Sequence, residues 1–205
     1  MIIFAYLYKV INKIFRVLMK TQWVITFLKL KLNRVKFSSD FKSNGIPICD
    51  IDLEAEVSIG YKFKMNNGVL NNMIGRQQPC FFVVAKGAEL NIKNNVGISA
   101  TAIVCWNKVE IGNNVRIGGG TVIYDTDHHS LDYKERTAVP EIKQNIKSSP
   151  VIIKDNVFIG ANSTILKGVT IGENSIIGAC SVVTKNVPKN EIWAGNPARF
   201  IKSLG

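Results

Sequence analysis

His128 and His129 stand side by side in a polar stretch and are the only histidines in the chain. Imidazole is the side chain best matched to moving a proton near neutral pH, so this pair is the first candidate for general-base chemistry. A histidine in that role needs a group to orient its imidazolium. Asp127, Asp132 or a backbone carbonyl could supply it. The four cysteines, Cys49, Cys80, Cys105 and Cys180, are far apart and form no C-x-x-C pair. That spacing predicts reduced thiols in a cytoplasmic protein, with no disulfide framework and no metal.

The elements that must carry the histidines follow from a repeat. Ile153, Ile159, Ile165, Ile171, Ile177 and Val183 fall at six-residue intervals. A helix sets apolar residues three and four apart and a strand two apart, so a pure period of six fits neither alone. The positions four residues on, Val157, Ser163, Val169, Ser175, Ser181 and Val187, are all small or β-branched. Gly160, Gly172 and Gly178 follow three of the six and read as turn positions tolerant of positive φ. This is the pattern of a parallel β-helix in which each hexapeptide makes a short strand and a corner. The register recurs at Ile111, Ile117 and Ile123, at Ile92, Ile98 and Val104, and more weakly at Leu53, Ile59 and Met65. From Tyr124 to Pro150 it is broken by a long polar loop holding both histidines, and the span from Val104 to Ile111 carries one extra residue beside Trp106.

Three runs carry a resemblance: Ile117 to Asp132, which includes Asp127-His128-His129-Ser130; Ile177 to Pro188; and Ala194-Gly195-Asn196-Pro197-Ala198-Arg199. Over roughly residues 50–203 the chain resembles the hexapeptide-repeat acyltransferases, in the branch of the maltose and galactoside O-acetyltransferases and the enzymes that acetylate surface sugars. The resemblance implies an all-β fold, a left-handed parallel β-helix with an N-terminal helical arm and a protruding catalytic loop. It implies acetyl transfer from acetyl-coenzyme A to a sugar hydroxyl, in cell-surface polysaccharide or glycolipid synthesis. His129, before Ser130 and three residues ahead of Asp132, matches the family's general base. His128 would face away or line the acceptor pocket with Tyr124, Trp106, Asp127 and Asp132. The cofactor's pantetheine arm would pass Gly160-Ala161 and Gly178-Ala179, with Thr184-Lys185 and Arg199 at its nucleotide end and the Ala161 N–H as an oxyanion donor. The family's groove lies between chains, so a homotrimer is implied. Transfer to an amino sugar or to serine is the alternative, and a non-enzymatic β-helix scaffold a third. The carbonic anhydrases that share the coil need three histidine ligands from neighbouring chains, which two adjacent histidines do not match.

The chain has 205 residues, 46% of them apolar, enough for one substantial core. Its formal net charge of +11 is concentrated: residues 1–39 hold eight Lys or Arg and no acid, leaving +3 for the rest. A basic excess confined to one arm, without a nucleic-acid module, argues against nucleic-acid binding. Lys9, Lys13, Arg16 and Lys20 share one helical face beside Ile3, Phe4, Leu7, Val10, Ile11, Ile14, Val17 and Leu18, and a second apolar segment runs from Thr21 to Leu28. Uncharged runs of eight residues are too short to span a bilayer. The arm is therefore expected to cap the first coil, to lie on an anionic membrane surface through residues 1–36, or to do both. The expected organisation is an arm at 1–45, coils at 50–188 with the loop 124–150, and a tail at 189–205. The expected location is the cytoplasm, peripheral on the inner face of the membrane if the arm binds lipid.

Overall fold

The computed structural model describes residues 2–205 apart from 69, 70, 73, 76 and 77, and for residues 15–20 the helical backbone alone. The hexads wind into a prism of three parallel sheets. The first sheet stacks Lys36–Phe37, Glu56–Ile59, Glu89–Ile92, Lys108–Ile111, Val151–Ile153 and Thr170–Ile171. The second stacks Lys42–Asn44, Lys64–Asn66, Gly97–Ser99, Arg116–Ile117, Phe158–Ile159 and Ile176–Ile177, and ends in an antiparallel hairpin, Glu191–Ala194 with Arg199–Ser203. The third stacks Ile48–Ile51, Phe81–Val84, Ala102–Cys105, Val122–Tyr124, Thr164–Ile165 and Val182–Val183. The coil thus begins at Lys36 and closes with the tail.

Each repeat residue meets its counterpart one coil away. Ile111 pairs Ile153, which pairs Ile171, while Ile117, Ile159 and Ile177 form one column and Ile123, Ile165 and Val183 another. All these side chains are buried, as are Val157, Ser163, Val169, Ser175, Ser181 and Val187. The restricted second column lines the corners. The Ser163 hydroxyl donates to the carbonyls of Gly160 and Gly178, and Ser181 to that of Gly178.

Two expected inward residues face out. Val104 lies between the buried Ile103 and Cys105 and is itself half-exposed, because the corner from Ile98 to Ile103 is one residue shorter than that from Ile117 to Ile123. Leu53 is 68% exposed, because Ile51 takes the inward place and Asp52 to Ala55 form a turn. The glycine reading also needs correction. Gly160, Gly172 and Gly178 do not have positive φ; that conformation falls two residues later, on Asn162, Asn174 and Cys180. The glycines are needed because the next coil is too close for a side chain. A methyl group on Gly160 would sit 2.7 Å from the Cα of Ala179.

Asparagine tolerates the left-handed region better than other side chains that carry a Cβ. At the corner from the first sheet to the second, Asn95, Asn114, Asn156, Asn174 and Asn190 have φ between 54° and 62°. Their amides bond one to the next in a ladder with links of 2.8–3.0 Å.

The arm is one continuous helix, Ile2–Leu32, which joins the two apolar segments. Its last third packs on the first coil. Trp23 stacks on Phe41 and donates its indole N–H to the Phe41 carbonyl, Phe27 meets Phe37 edge-on, and Thr26 and Leu30 are buried. The capping expectation holds for this part. Lys9 and Lys13 are exposed, whereas the side chains of Arg16, Val17, Leu18 and Lys20 lie outside the described residues.

Candidate active site

The histidine loop leaves the prism at the edge between the third and first sheets. Its base is closed by backbone bonds from Ser149 N–H to the Asp125 carbonyl and from Asp127 N–H to the Lys147 carbonyl. Asp125 is fully buried, and its carboxylate accepts the backbone N–H groups of Trp106 at 2.7 Å and Asn107 at 2.8 Å. It therefore ties the loop's first residue to the preceding corner. Burial and then the charge of Asp125 push the Cys105 thiol far up, and burial takes Cys80 to about 12, so both thiols stay protonated.

The two histidines diverge. His128 has φ 63° and folds back onto the coil, its ring edge-to-face with Tyr124 at 5.2 Å and Trp106 at 5.7 Å. His129 turns outward, and its Nδ1 stands 3.0 and 3.1 Å from the two carboxylate oxygens of Glu141. A carboxylate only accepts, so Nδ1–H donates and Nε2 is left free to take a proton. The His129 side chain is 64% exposed and that of Glu141 only 18%.

None of the groups expected to orient His129 does so. Asp127 is engaged by Lys167, with Oδ1 to Nζ at 2.8 Å, and Asp132 caps the short helix Tyr133–Arg136 by accepting the N–H of Lys134. A backbone carbonyl is not the partner either. Glu141 had no periodic signal, because it comes from the irregular loop. Lys167 did have one: it precedes Lys185 by 18 residues, which is one full coil, so the two share an edge.

The structure gathers Trp106, Tyr124, Asp127, His128, His129, Lys167 and Thr184-Lys185 along the edge between the third and first sheets. Trp106 also lines a cavity of about 360 Å³ with Asp50, Asp52 and Lys86. Gly160-Ala161 and Gly178-Ala179 lie on a different edge, between the second and third sheets, and Arg199 lies on the hairpin that extends the second sheet. The whole third sheet separates the two groups. Among the described residues no cluster of three or more His, Cys, Asp or Glu could hold a metal ion.

Residues 150–185 match the family model for bacterial transferase hexapeptide repeats. The galactoside O-acetyltransferase of Escherichia coli is 40% identical over 62% of this chain and 60% of its own length. In its repeats and in these relatives the chain is similar to the hexapeptide-repeat acyltransferases. A putative lipopolysaccharide biosynthesis O-acetyl transferase of E. coli is 29% identical over 75% of each chain. Several other relatives are matched over less than half of their length. The left-handed β-helix fold is shared with an N-acyltransferase of Bacillus cereus solved with coenzyme A and a dTDP-amino sugar. The TM-score is 0.61 at 22% identity, covering 83% of this chain and 81% of that one.

Proposed function

We propose that the protein transfers the acetyl group of acetyl-coenzyme A to a hydroxyl of a sugar in surface polysaccharide or glycolipid, with His129 as general base. The observation that carries this is the His129 imidazole with Nδ1 held by Glu141 and Nε2 free, next in the chain to His128, whose own ring packs on Trp106 and Tyr124. Aromatic faces suit sugar rings, and carboxylates such as Asp50 and Asp52 in the adjoining cavity suit hydroxyl groups. The relatives named for galactoside and lipopolysaccharide O-acetylation support the acceptor class.

In this reading His129 Nε2 takes the hydroxyl proton as the sugar oxygen attacks the acetyl carbonyl. The tetrahedral oxyanion then collapses, the carbon–sulfur bond breaks, and the imidazolium returns its proton to the departing thiolate. Glu141 holds the ring and balances its transient charge. No covalent enzyme intermediate is needed, and the cytoplasm, where the thioester is made, is the expected location.

The two-edge distribution supports shared sites in a homotrimer. One chain would offer the histidine edge with Lys185, and a neighbour the Gly160-Ala161, Gly178-Ala179 and Arg199 side, where the Ala161 N–H could stabilise the oxyanion. The test is incubation with acetyl-coenzyme A and a panel of sugars and lipid-linked glycans. Coenzyme A release coupled to a mass gain of one acetyl group is expected. Thioester hydrolysis alone, or acetylation of amines but not hydroxyls, would overturn the acceptor assignment.

Lys185→Ala and Arg199→Ala are expected to raise KM for acetyl-coenzyme A by up to about ten-fold with little change in kcat. Cations on phosphates far from the reacting carbon contribute binding shared by ground and transition states. A lower kcat at unchanged KM would contradict their placement.

A further inference from the structure

The helix Ile2–Leu32 presents two faces that point in opposite directions. Trp23, Thr26, Phe27 and Leu30, at steps of three, one and three, form the face on the coil. Ile3, Leu7, Val10 and Ile14 form a stripe at steps of four, three and four, and Ile25, Leu28 and Leu32 continue it at three and four. All are 45–80% exposed. At 3.6 residues per turn, the eleven residues from Ile14 to Ile25 return to the same side within about 20°, whereas Leu30 lies about 200° around from Leu28. The two stretches therefore lie on one side of a helix about 46 Å long, the side away from the coil. Phe4 and Ile11, also more than half exposed, widen it.

We propose that this stripe seats the helix flat in the interface of an anionic membrane, with the β-helix held on the water side. Three observations favour lipid over a second copy of the chain. Residues 1–39 carry eight Lys or Arg and no acid, complementary to anionic headgroups, while copies packed together would bring like charges near each other with no acidic partner. The stripe with Phe4 and Ile11 is broader than the narrow seam of a coiled coil. A helix lying flat with this side down lifts the coil off the surface instead of colliding with it. No described helix is long and apolar enough to cross a membrane, so in-plane seating is the geometry left to the stripe. The proposal does not depend on the acceptor or on the chemistry of His129.

The experiment is co-sedimentation of the full chain with vesicles of phosphatidylcholine, with and without phosphatidylglycerol, at low and high salt. Sedimentation mass is measured without lipid, and folding is checked by thermal unfolding. The intact chain is expected to pellet with anionic vesicles at low salt, and binding should fall at least about ten-fold in high salt or on neutral vesicles. Leu7→Glu with Val10→Glu, and separately Leu28→Glu, should each weaken binding about ten-fold or more, as should Lys9→Glu with Lys13→Glu. Absence of lipid-dependent pelleting at low salt would overturn the proposal. So would stripe variants that bind vesicles normally but lower the lipid-free assembly mass, because the stripe would then face another copy.

Discussion

His129→Ala is expected to lower acetyl transfer by about two to four orders of magnitude while leaving coenzyme A binding and thermal stability unchanged. The side chain is largely exposed and is held by Glu141, so its loss opens no cavity in the core. His128→Ala should act differently: its ring touches Trp106 and Tyr124, so removal should raise KM for the acceptor with a smaller effect on kcat. Glu141→Gln separates positioning from packing. An amide can still occupy the place but does not balance an imidazolium, so kcat should fall about ten- to a hundred-fold at constant KM for acetyl-coenzyme A, with partial recovery in Glu141→Asp. Steady-state kinetics at saturating donor checks all three. Near-normal turnover in His129→Ala would remove the proposed base, and loss of turnover confined to His128→Ala would move the role to its neighbour.

His129 could be proposed from the sequence, and its neighbour Glu141 could not, for a physical reason. Repeats announce themselves because each coil must bury the same kind of residue in the same place, as Ile153, Ile159, Ile165, Ile171, Ile177 and Val183 do. A partner supplied by a loop answers to no period. Glu141 is reached only through the fold of residues 125–150, and the sequence neighbours Asp127 and Asp132 are used elsewhere, on Lys167 and as a helix cap. The register failed where corners change length. Val104 is six residues after Ile98 and still faces out, since the corner before Ile103 is one residue shorter than the corresponding corner in the next coil. The arm was legible in its charge and apolar content, but the sequence could not say that one face would pack on Phe37 and Phe41 while the other stayed bare.

Gly160→Ala distinguishes the two reasons a glycine can stand at that corner. If its use is to admit the cofactor, the substitution should raise KM and leave stability alone. The packing predicts otherwise. The added methyl would press on Ala179 of the next coil, at backbone atoms held by the Gly160 N–H to Ile177 carbonyl bond and the Cys180 N–H to Ala161 carbonyl bond. Neither coil can move away without breaking that stack, so overpacking of about 1–3 kcal/mol is expected, or more if the corner must open. For a domain of this size that is a fall in Tm of about 2–12 °C, with or without coenzyme A. Gly87→Ala is the comparison: its φ is +71° but nothing lies within 4 Å, so it should cost only the left-handed strain, about 1 kcal/mol. Calorimetric unfolding of the two variants orders the effects. If Gly160→Ala melts with the unchanged protein and Gly87→Ala does not, close coil stacking is not what selects glycine there, and the cofactor reading of that corner stands alone.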